Sequence, residues 1–417
     1  MIRQVLKSKV AKNGAWLYLL QFFNTICPLL TIPYIVRVLD STSYGVFSLA
    51  LNLVSYFQVL VEYGFGMSAT RKVALDDPET EINRIFSNIL SARSLLLTAC
   101  FILTVTLTNI LHIDPTQRKC IYVLLISLLG YTLQVNWLFQ GKQEMKFISV
   151  ANIISRVSTL VLIFVFVRSS DDLYVYCFLY AIAPVISSSI GIVLATRKYK
   201  LRFIWTELSA VKNEFKEGWY VFTTSLSSKV FGAIGITLLG IYATESVVGI
   251  YSAIHKIPNI IVLGWAPISQ ILYPVTSKKI SADFASGYRF VKRLRLMILP
   301  VFVFIAVLVT MFSRKIVEIA LGTEYAQFHY WLWPLMLWIL VAINNNFLGI
   351  QTLLGSGHDK KYSKCFQIGV ICTVALNYIL IKAFQGWGAA LAPLLSECIL
   401  YGLLLKSVHA IENSKPI

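Results

Sequence analysis

Charge is scarce in this chain, and negative charge is scarcest. Of 417 residues only 14% are charged, and 20 acids stand against 37 Lys and Arg. A soluble domain carries about a quarter charged residues. With 57% hydrophobic residues and a mean hydropathy of +0.70, a soluble globular fold is excluded. Catalytic motifs are missing as well. No GxxxxGKS or GxxxxGKT phosphate loop occurs, which argues against a built-in ATPase, and neither HExxH nor GxSxG is present. The seven cysteines (Cys27, Cys100, Cys120, Cys177, Cys365, Cys372 and Cys398) are scattered without a CxxC pair. That argues against a disulfide framework or a zinc site, and no metal is expected. The first apolar stretch reads as a span and not as a cleavable signal, because it is long and holds Pro28 and Pro33.

What the chain has in abundance is apolar runs near 20 residues, the length that crosses about 30 Å of hydrocarbon. Twelve such spans are expected, the first at Gly14–Val36 and the last two at Phe366–Ala383 and Trp387–Leu405. The fold class is therefore an all-α integral membrane protein. Of the 37 Lys and Arg, 26 fall in alternate connectors that include both ends of the chain, and 7 fall in the other set. The positive-inside rule then places both termini in the cytoplasm. The longest outer loop, Ser313–Phe328, has only about 15 residues, too few for an outer catalytic domain.

The chain divides into an N-terminal six-helix bundle over 1–196, a basic amphipathic connector over 197–217, and a C-terminal six-helix bundle over 218–417. The connector holds Arg197, Lys198, Lys200, Arg202, Lys212 and Lys216 among Phe203, Ile204 and Trp205. It reads as a helix lying on anionic lipid or as a plain linker. The halves echo one another: Tyr44-Gly45-Val46-Phe47-Ser48 is matched by Val248-Gly249-Ile250-Tyr251-Ser252. Six spans in each half make a parallel repeat, which in transporters puts the substrate site at the interface between halves.

Four Lys or Arg remain, near the middle of spans: Arg93, Arg156, Lys229 and Lys256. Each costs ~2.5–3.5 kcal/mol at a helix centre on insertion scales. Three sit on polar stripes at helical spacing. Asn152, Ser155, Arg156 and Thr159 form one, Ser225, Ser228, Lys229 and Gly232 a second, and Ser252, His255, Lys256 and Asn259 a third. A fourth stripe is Gln21, Asn24, Thr25 and Pro28. Packing between helices uses the same small polar residues, and for the fourth stripe that reading stands open. Around a cation it would need buried acids, and only Glu62 and Glu397 qualify within the spans. A cavity with excess positive charge, holding an anionic cargo, is the better account. Glu397 reads either as a salt-bridge partner or, with Glu62, as a site for a coupling H⁺ or Na⁺. Pro28 and Pro33 should bend the first span, a device suited to gating. Asn344-Asn345-Asn346 and Gln351, with Gln134, Asn136, Trp137 and Gln140, could bind sugars.

Several motifs resemble a known family. Asn24, Pro28-Leu29-Leu30-Thr31-Ile32-Pro33-Tyr34, Arg37-Val38-Leu39 and Tyr44-Gly45-Val46 are similar to the N-terminal signature of bacterial O-antigen flippases of the Wzx type. Tyr63-Gly64-Phe65, Ser68-Ala69-Thr70-Arg71 and Trp137-Leu138-Phe139-Gln140-Gly141 fit the same pattern. These flippases form the polysaccharide-transporter branch of the multidrug/oligosaccharidyl-lipid/polysaccharide (MOP) exporter superfamily. The resemblance implies a MATE-like fold, a location in the bacterial inner membrane, and alternating access with H⁺ or Na⁺ coupling. It also implies a cargo, an undecaprenyl-pyrophosphate-linked oligosaccharide moved from the cytoplasmic to the periplasmic leaflet, and cooperation with other polysaccharide assembly proteins. No cofactor and no nucleic acid is called for. A flippase for the peptidoglycan lipid precursor would want a similar cationic cavity. A drug exporter would want cavity acids, and a polysaccharide polymerase or ligase would want a long outer loop.

Overall fold

The computed structural model describes residues 9–75 and 79–414, which are helical almost throughout, with no strand among them. The tail before Lys9, read above as cytoplasmic, and the last three residues lie outside the described residues. Eleven helical segments among those described are long and apolar enough to cross a bilayer. The chain is thus a multi-pass membrane protein. It forms two compact units that divide between Lys229 and Val230.

The first unit begins with α1 (Lys9–Val38), α2 (Ser41–Glu62), α3 (Phe65–Ala74) and α4 (Glu79–Ile110). Next come α5 (Pro115–Leu133), α6 (Asn136–Gly141), α7 (Met145–Phe166) and α8 (Leu173–Tyr199). Local chemistry sets the boundaries. Asp40 caps α2 by accepting from the Ser43 N–H at 2.8 Å, and Asp114 caps α5 by accepting from Thr116 N–H at 2.7 Å with Pro115 next in line. Tyr63 ends α2 in the left-handed conformation, and Lys200 does the same for α8. Helices α5 and α8 approach closely at Gly130, where a Cβ would lie 2.4 Å from the Pro184 carbonyl carbon. Only glycine allows that approach. One core of this unit gathers Phe65, Ala69 and Val73 of α3, Val135, Trp137, Leu138 and Phe139, Ile85 and Ile89 of α4, and Leu201.

Helix α9 (Leu208–Tyr242) starts in the first unit and runs without a break into the second. The division therefore falls inside this helix, later than the 217/218 boundary drawn from charge. The amphipathic connector helix expected over 197–217 does not form as one element. Residues 200–207 are non-helical, and the N–H groups of Arg202 and Ile204 donate to Asn83 Oδ1 and Ser87 Oγ of α4, both at 2.8 Å. With these side chains supplying acceptors, the strap runs extended, leaving Trp205 92% exposed.

The second unit continues with α10 (Glu245–Ala282), α11 (Phe284–Met311), α12 (Ser313–Leu321), α13 (Thr323–Ala326) and α14 (Leu332–Asn346). A π-helical stretch follows at Phe347–Leu354, then α15 (Asp359–Ser414). Helix α15 is a hairpin. Gln385 has φ 48°, a Cβ on Gly388 would lie 2.0 Å from the Leu380 carbonyl oxygen, and Cys365 Sγ lies 3.2 Å from Ser407 Oγ. In a straight helix residues so far apart would be separated by roughly 60 Å. The two echoing sequences occupy equal positions, each one turn after an N-cap, Asp40 for Tyr44 and Thr244 for Val248.

Candidate functional site

The four mid-span cations do not share one environment. Arg93, expected in a passage, is only 4% exposed and is occupied by the protein itself. Helix α5 stops at Leu133, Gln134 is extended, and α6 restarts at Asn136. A helix end in hydrocarbon leaves carbonyls without donors. Arg93 fills the gap: Nη1 donates to the Gln134 carbonyl at 2.7 Å and reaches the Thr132 carbonyl at 3.4 Å. Glu62 is the acid within its electrostatic reach. Glu62 itself accepts from Gln58 Nε2 at 3.1 Å, one turn away on α2.

Arg156 differs. It is half-buried on α7, within electrostatic reach of Cys27 on α1, Tyr131 on α5 and Tyr180 on α8. No acid lies within ion-pair distance of it among the described residues. Its stripe is partly spent on packing, since Ser155 donates to the Ala183 carbonyl and Asn152 Nδ2 donates to the Ile148 carbonyl at 2.9 Å. Asn24 carries a buried Oδ1 without a partner. Half-buried Gln21 and Thr25 are linked by a 3.0 Å bond from Thr25 Oγ1 to the Gln21 carbonyl. Pro28 and Pro33 sit inside a continuous α1 and each withdraw one helical N–H donor.

On α9, Lys229 is half-buried with its Nζ 6.0 Å from the ring centre of Tyr56, while Ser225 and Ser228 one turn back are exposed. An ammonium near a tyrosine face at that range is weakly attracted.

In the second unit, Lys256 is half-buried on α10 and also has no acid at ion-pair distance among the described residues. His255 is stacked between Tyr251, 5.4 Å away, and Trp338, 5.5 Å away, with Nδ1 3.1 Å from Asn259 Nδ2. With the amide donating, the imidazole proton sits on Nε2. The salt-bridge reading of Glu397 is not met among the described residues. Its carboxylate accepts from Asn345 Nδ2 at 2.5 Å, and the same Nδ2 reaches the Glu397 main-chain carbonyl at 2.9 Å.

Much of the run Asn344-Asn345-Asn346 with Gln351, expected to bind sugars, is engaged internally. Besides Asn345, Asn346 Oδ1 accepts from Ser269 Oγ at 2.8 Å, and fully buried Gln351 bonds Ser269 and Thr276. These amides hold α10 against the π-helical stretch, where the i→i−4 ladder is interrupted. One buried acid escaped the sequence reading. Glu214, 3% exposed at the start of α9, bonds Lys72 of α3 at 2.8 Å, and Glu217 bonds the same Nζ at 3.0 Å. From sequence this stretch reads as a basic helix on anionic lipid or a plain linker, with no buried acid. The Lys-Glu spacing between distant segments offers no local signal.

Comparison with known proteins fits this architecture. The chain is 25% identical over 405 residues to a protein of Escherichia coli (strain K12) named for O-antigen transport, covering 97% of each chain. Among solved structures it is similar to the lipid II flippase MurJ in an inward closed conformation. That likeness has a TM-score of 0.75 and 14% identity, over 94% of this chain and 86% of that one. An inward-facing multidrug resistance MATE transporter of the MOP superfamily gives a TM-score of 0.69 at 13% identity, over 94% of this chain and 100% of the other. At these identities the structures establish a shared fold. The family model described as polysaccharide biosynthesis protein matches residues 10–279, and the chain belongs to that family.

Proposed function

We propose that this protein is a flippase for undecaprenyl-pyrophosphate-linked oligosaccharides. It carries O-antigen or related surface-polysaccharide repeat units from the cytoplasmic to the periplasmic leaflet of the bacterial inner membrane. The chain crosses twelve times in two six-helix bundles, a reading supported by the α15 hairpin together with the eleven long apolar helical segments among the described residues. Both termini are cytoplasmic. Alternating access moves the cargo, with Pro28 and Pro33 as bending points of α1 and no ATP hydrolysis by this chain.

The observation that carries this reading is the pair of half-buried mid-helix cations without acids, Arg156 and Lys256. An uncompensated cation in hydrocarbon is unfavourable, and a pyrophosphate offers charge-assisted bonds to a Lys or Arg of this kind. Lys229, with its Nζ 6.0 Å from the ring centre of Tyr56, is a further cation proposed for the cargo. Gln21, Asn24, Thr25, Asn152, Ser225, Ser228, His255 and Asn259 supply the polar lining for the remainder of the headgroup and the glycan. The family membership and the relative named for O-antigen transport support a lipid-linked glycan as the cargo. A MATE-like drug exporter would need cavity acids for cationic drugs, and few exist in the spans.

The test is Arg156→Ala and Lys256→Ala in a cell lacking the native gene. Each variant should reach wild-type abundance in the membrane, abolish surface polysaccharide and leave lipid-linked repeat units on the cytoplasmic face. Normal surface polysaccharide in both variants overturns the cationic-passage reading. Accumulation of peptidoglycan lipid precursor in place of repeat units would redirect the assignment to that precursor.

A further inference from the structure

We infer that Glu397 and Asn345 form a proton-binding site that controls how α14 is fastened to α15. Glu397 is 7% exposed and Asn345 6% exposed. No Lys, Arg or His lies within ion-pair distance of the carboxylate among the described residues. A carboxylate buried with no cation beside it is strongly penalised, and taking up a proton removes the charge.

The partner is suited to both states. An amide offers N–H donors at one end and a carbonyl acceptor at the other. With the carboxylate charged, Asn345 Nδ2 donates to it and to the Glu397 main-chain carbonyl. Asn345 Oδ1 is meanwhile buried without a partner, as is Asn344 Oδ1 beside it. When a proton from water binds Glu397, the new O–H needs an acceptor, and a half-turn of the Asn345 amide presents Oδ1. That turn withdraws Nδ2 from the main-chain carbonyl and leaves one bond between α14 and α15 in place of two. One proton is gained, one hydrogen bond forms and two are lost, with no other reactant.

The position gives the event leverage. Asn345 lies in the last turn of α14, directly before the π-helical stretch Phe347–Leu354. Such stretches sit off the α register and recur at functional sites. The other titratable groups around Glu397 are Cys398 on its own arm of α15 and Tyr362 on the other arm. From α10, His255 is stacked on Trp338, whose indole lies beside Glu397, and Lys256 follows it in sequence. None of these forms an ion pair with the carboxylate. Use of the site to couple transport rests on the flippase reading above; the protonation itself does not.

The test separates the two. The purified full chain in lipid nanodiscs is titrated from alkaline to acidic buffer and followed by infrared difference spectroscopy. A carbonyl band of a protonated carboxyl should grow in the wild type, vanish in Glu397→Gln and persist in His255→Gln. In Asn345→Ala the band should remain but move to higher frequency, reporting the lost hydrogen bond. Equal spectra for wild type and Glu397→Gln overturn the site. A band suppressed by sodium but not by potassium overturns the proton in favour of a sodium ion. If the band behaves as expected while Glu397→Gln leaves surface polysaccharide unchanged at every external pH, the site stands and its coupling role falls.

Discussion

Arg93 and Arg156 look alike as residues in the sequence: a guanidinium near the centre of an apolar span, with no neighbouring acid. Their surroundings separate them. Arg93 spends its Nη1 on carbonyls released where α5 breaks, and Arg156 spends its charge on no acid. Arg93→Ala should therefore act through the fold. A buried carbonyl left without a donor costs about 1–3 kcal/mol, so the variant should melt earlier in detergent and accumulate less in membranes. Arg156→Ala, made alongside it, should keep its melting temperature while losing function. An unchanged melting temperature for Arg93→Ala would return that residue to the passage. The distinction was not legible in sequence because nothing in Leu133-Gln134-Val135-Asn136 announces a break: the run lacks both proline and glycine. The polar stripes were legible, since helical spacing alone brings their members to one face. Which members would be consumed by packing, as Ser155 is, depends on partners in other helices.

At the scale of elements, the junction between α2 and α3 is the most constrained turn in the first unit. Tyr63 and Gly64 are both left-handed, with φ 45° and 82°. A Cβ on Gly64 would meet Val221 Cβ of α9 at 2.6 Å, and the Tyr63 ring stacks on Phe222 at 4.4 Å, 8° from parallel. Lys72, one helix further, holds Glu214 and Glu217 on the same stretch of α9. Gly64→Ala should thus cost about 1–3 kcal/mol for the left-handed backbone, plus about 1–3 kcal/mol for the overlap with Val221. Gly66→Ala is its control: nothing lies within 4 Å of a Cβ there, and alanine in helix α3 should stabilise by up to about 1 kcal/mol. Thermal melts of the two variants should move in opposite directions, and adding Val221→Ala should recover part of the first loss. Equal melts would remove the tight junction. Tyr63-Gly64-Phe65 stood out in the sequence as a motif, while the reason for it lies on a helix more than 150 residues away. The π-helical stretch was invisible for a similar reason, because a polar run in a span reads equally as cavity lining or as packing.

For the whole molecule, the number of crossings decides which side each end of the chain occupies, and the count turns on one residue. If Asp359–Ser414 were a straight helix it would be roughly 80 Å long, far beyond one bilayer. The crossings would number eleven and the ends would lie on opposite sides. The reversal at Gln385 makes two antiparallel arms; in the topology we propose, that raises the count to twelve and returns the C-terminus to the side of the N-terminus. The two last spans were already separate in the sequence, where Lys382 and Gln385-Gly386 interrupt the apolar pattern. Charge sets the direction. Lys360, Lys361 and Lys364 lie in the first turns of the first arm and Lys406 late in the second, against Lys382 alone at the reversal, so in the proposed topology the positive-inside rule places the reversal outside. A green fluorescent protein fused to the C-terminus should therefore fluoresce, and alkaline phosphatase fused there should be inactive. A cysteine at Lys382 should react with an impermeant maleimide added to intact spheroplasts, and a cysteine at Lys360 should react only after lysis. Active phosphatase at the C-terminus would straighten the hairpin and shift the crossing of Glu397. In a passage that must bind an anion on one side and release it on the other, the acid's place along the membrane determines which side can supply its proton.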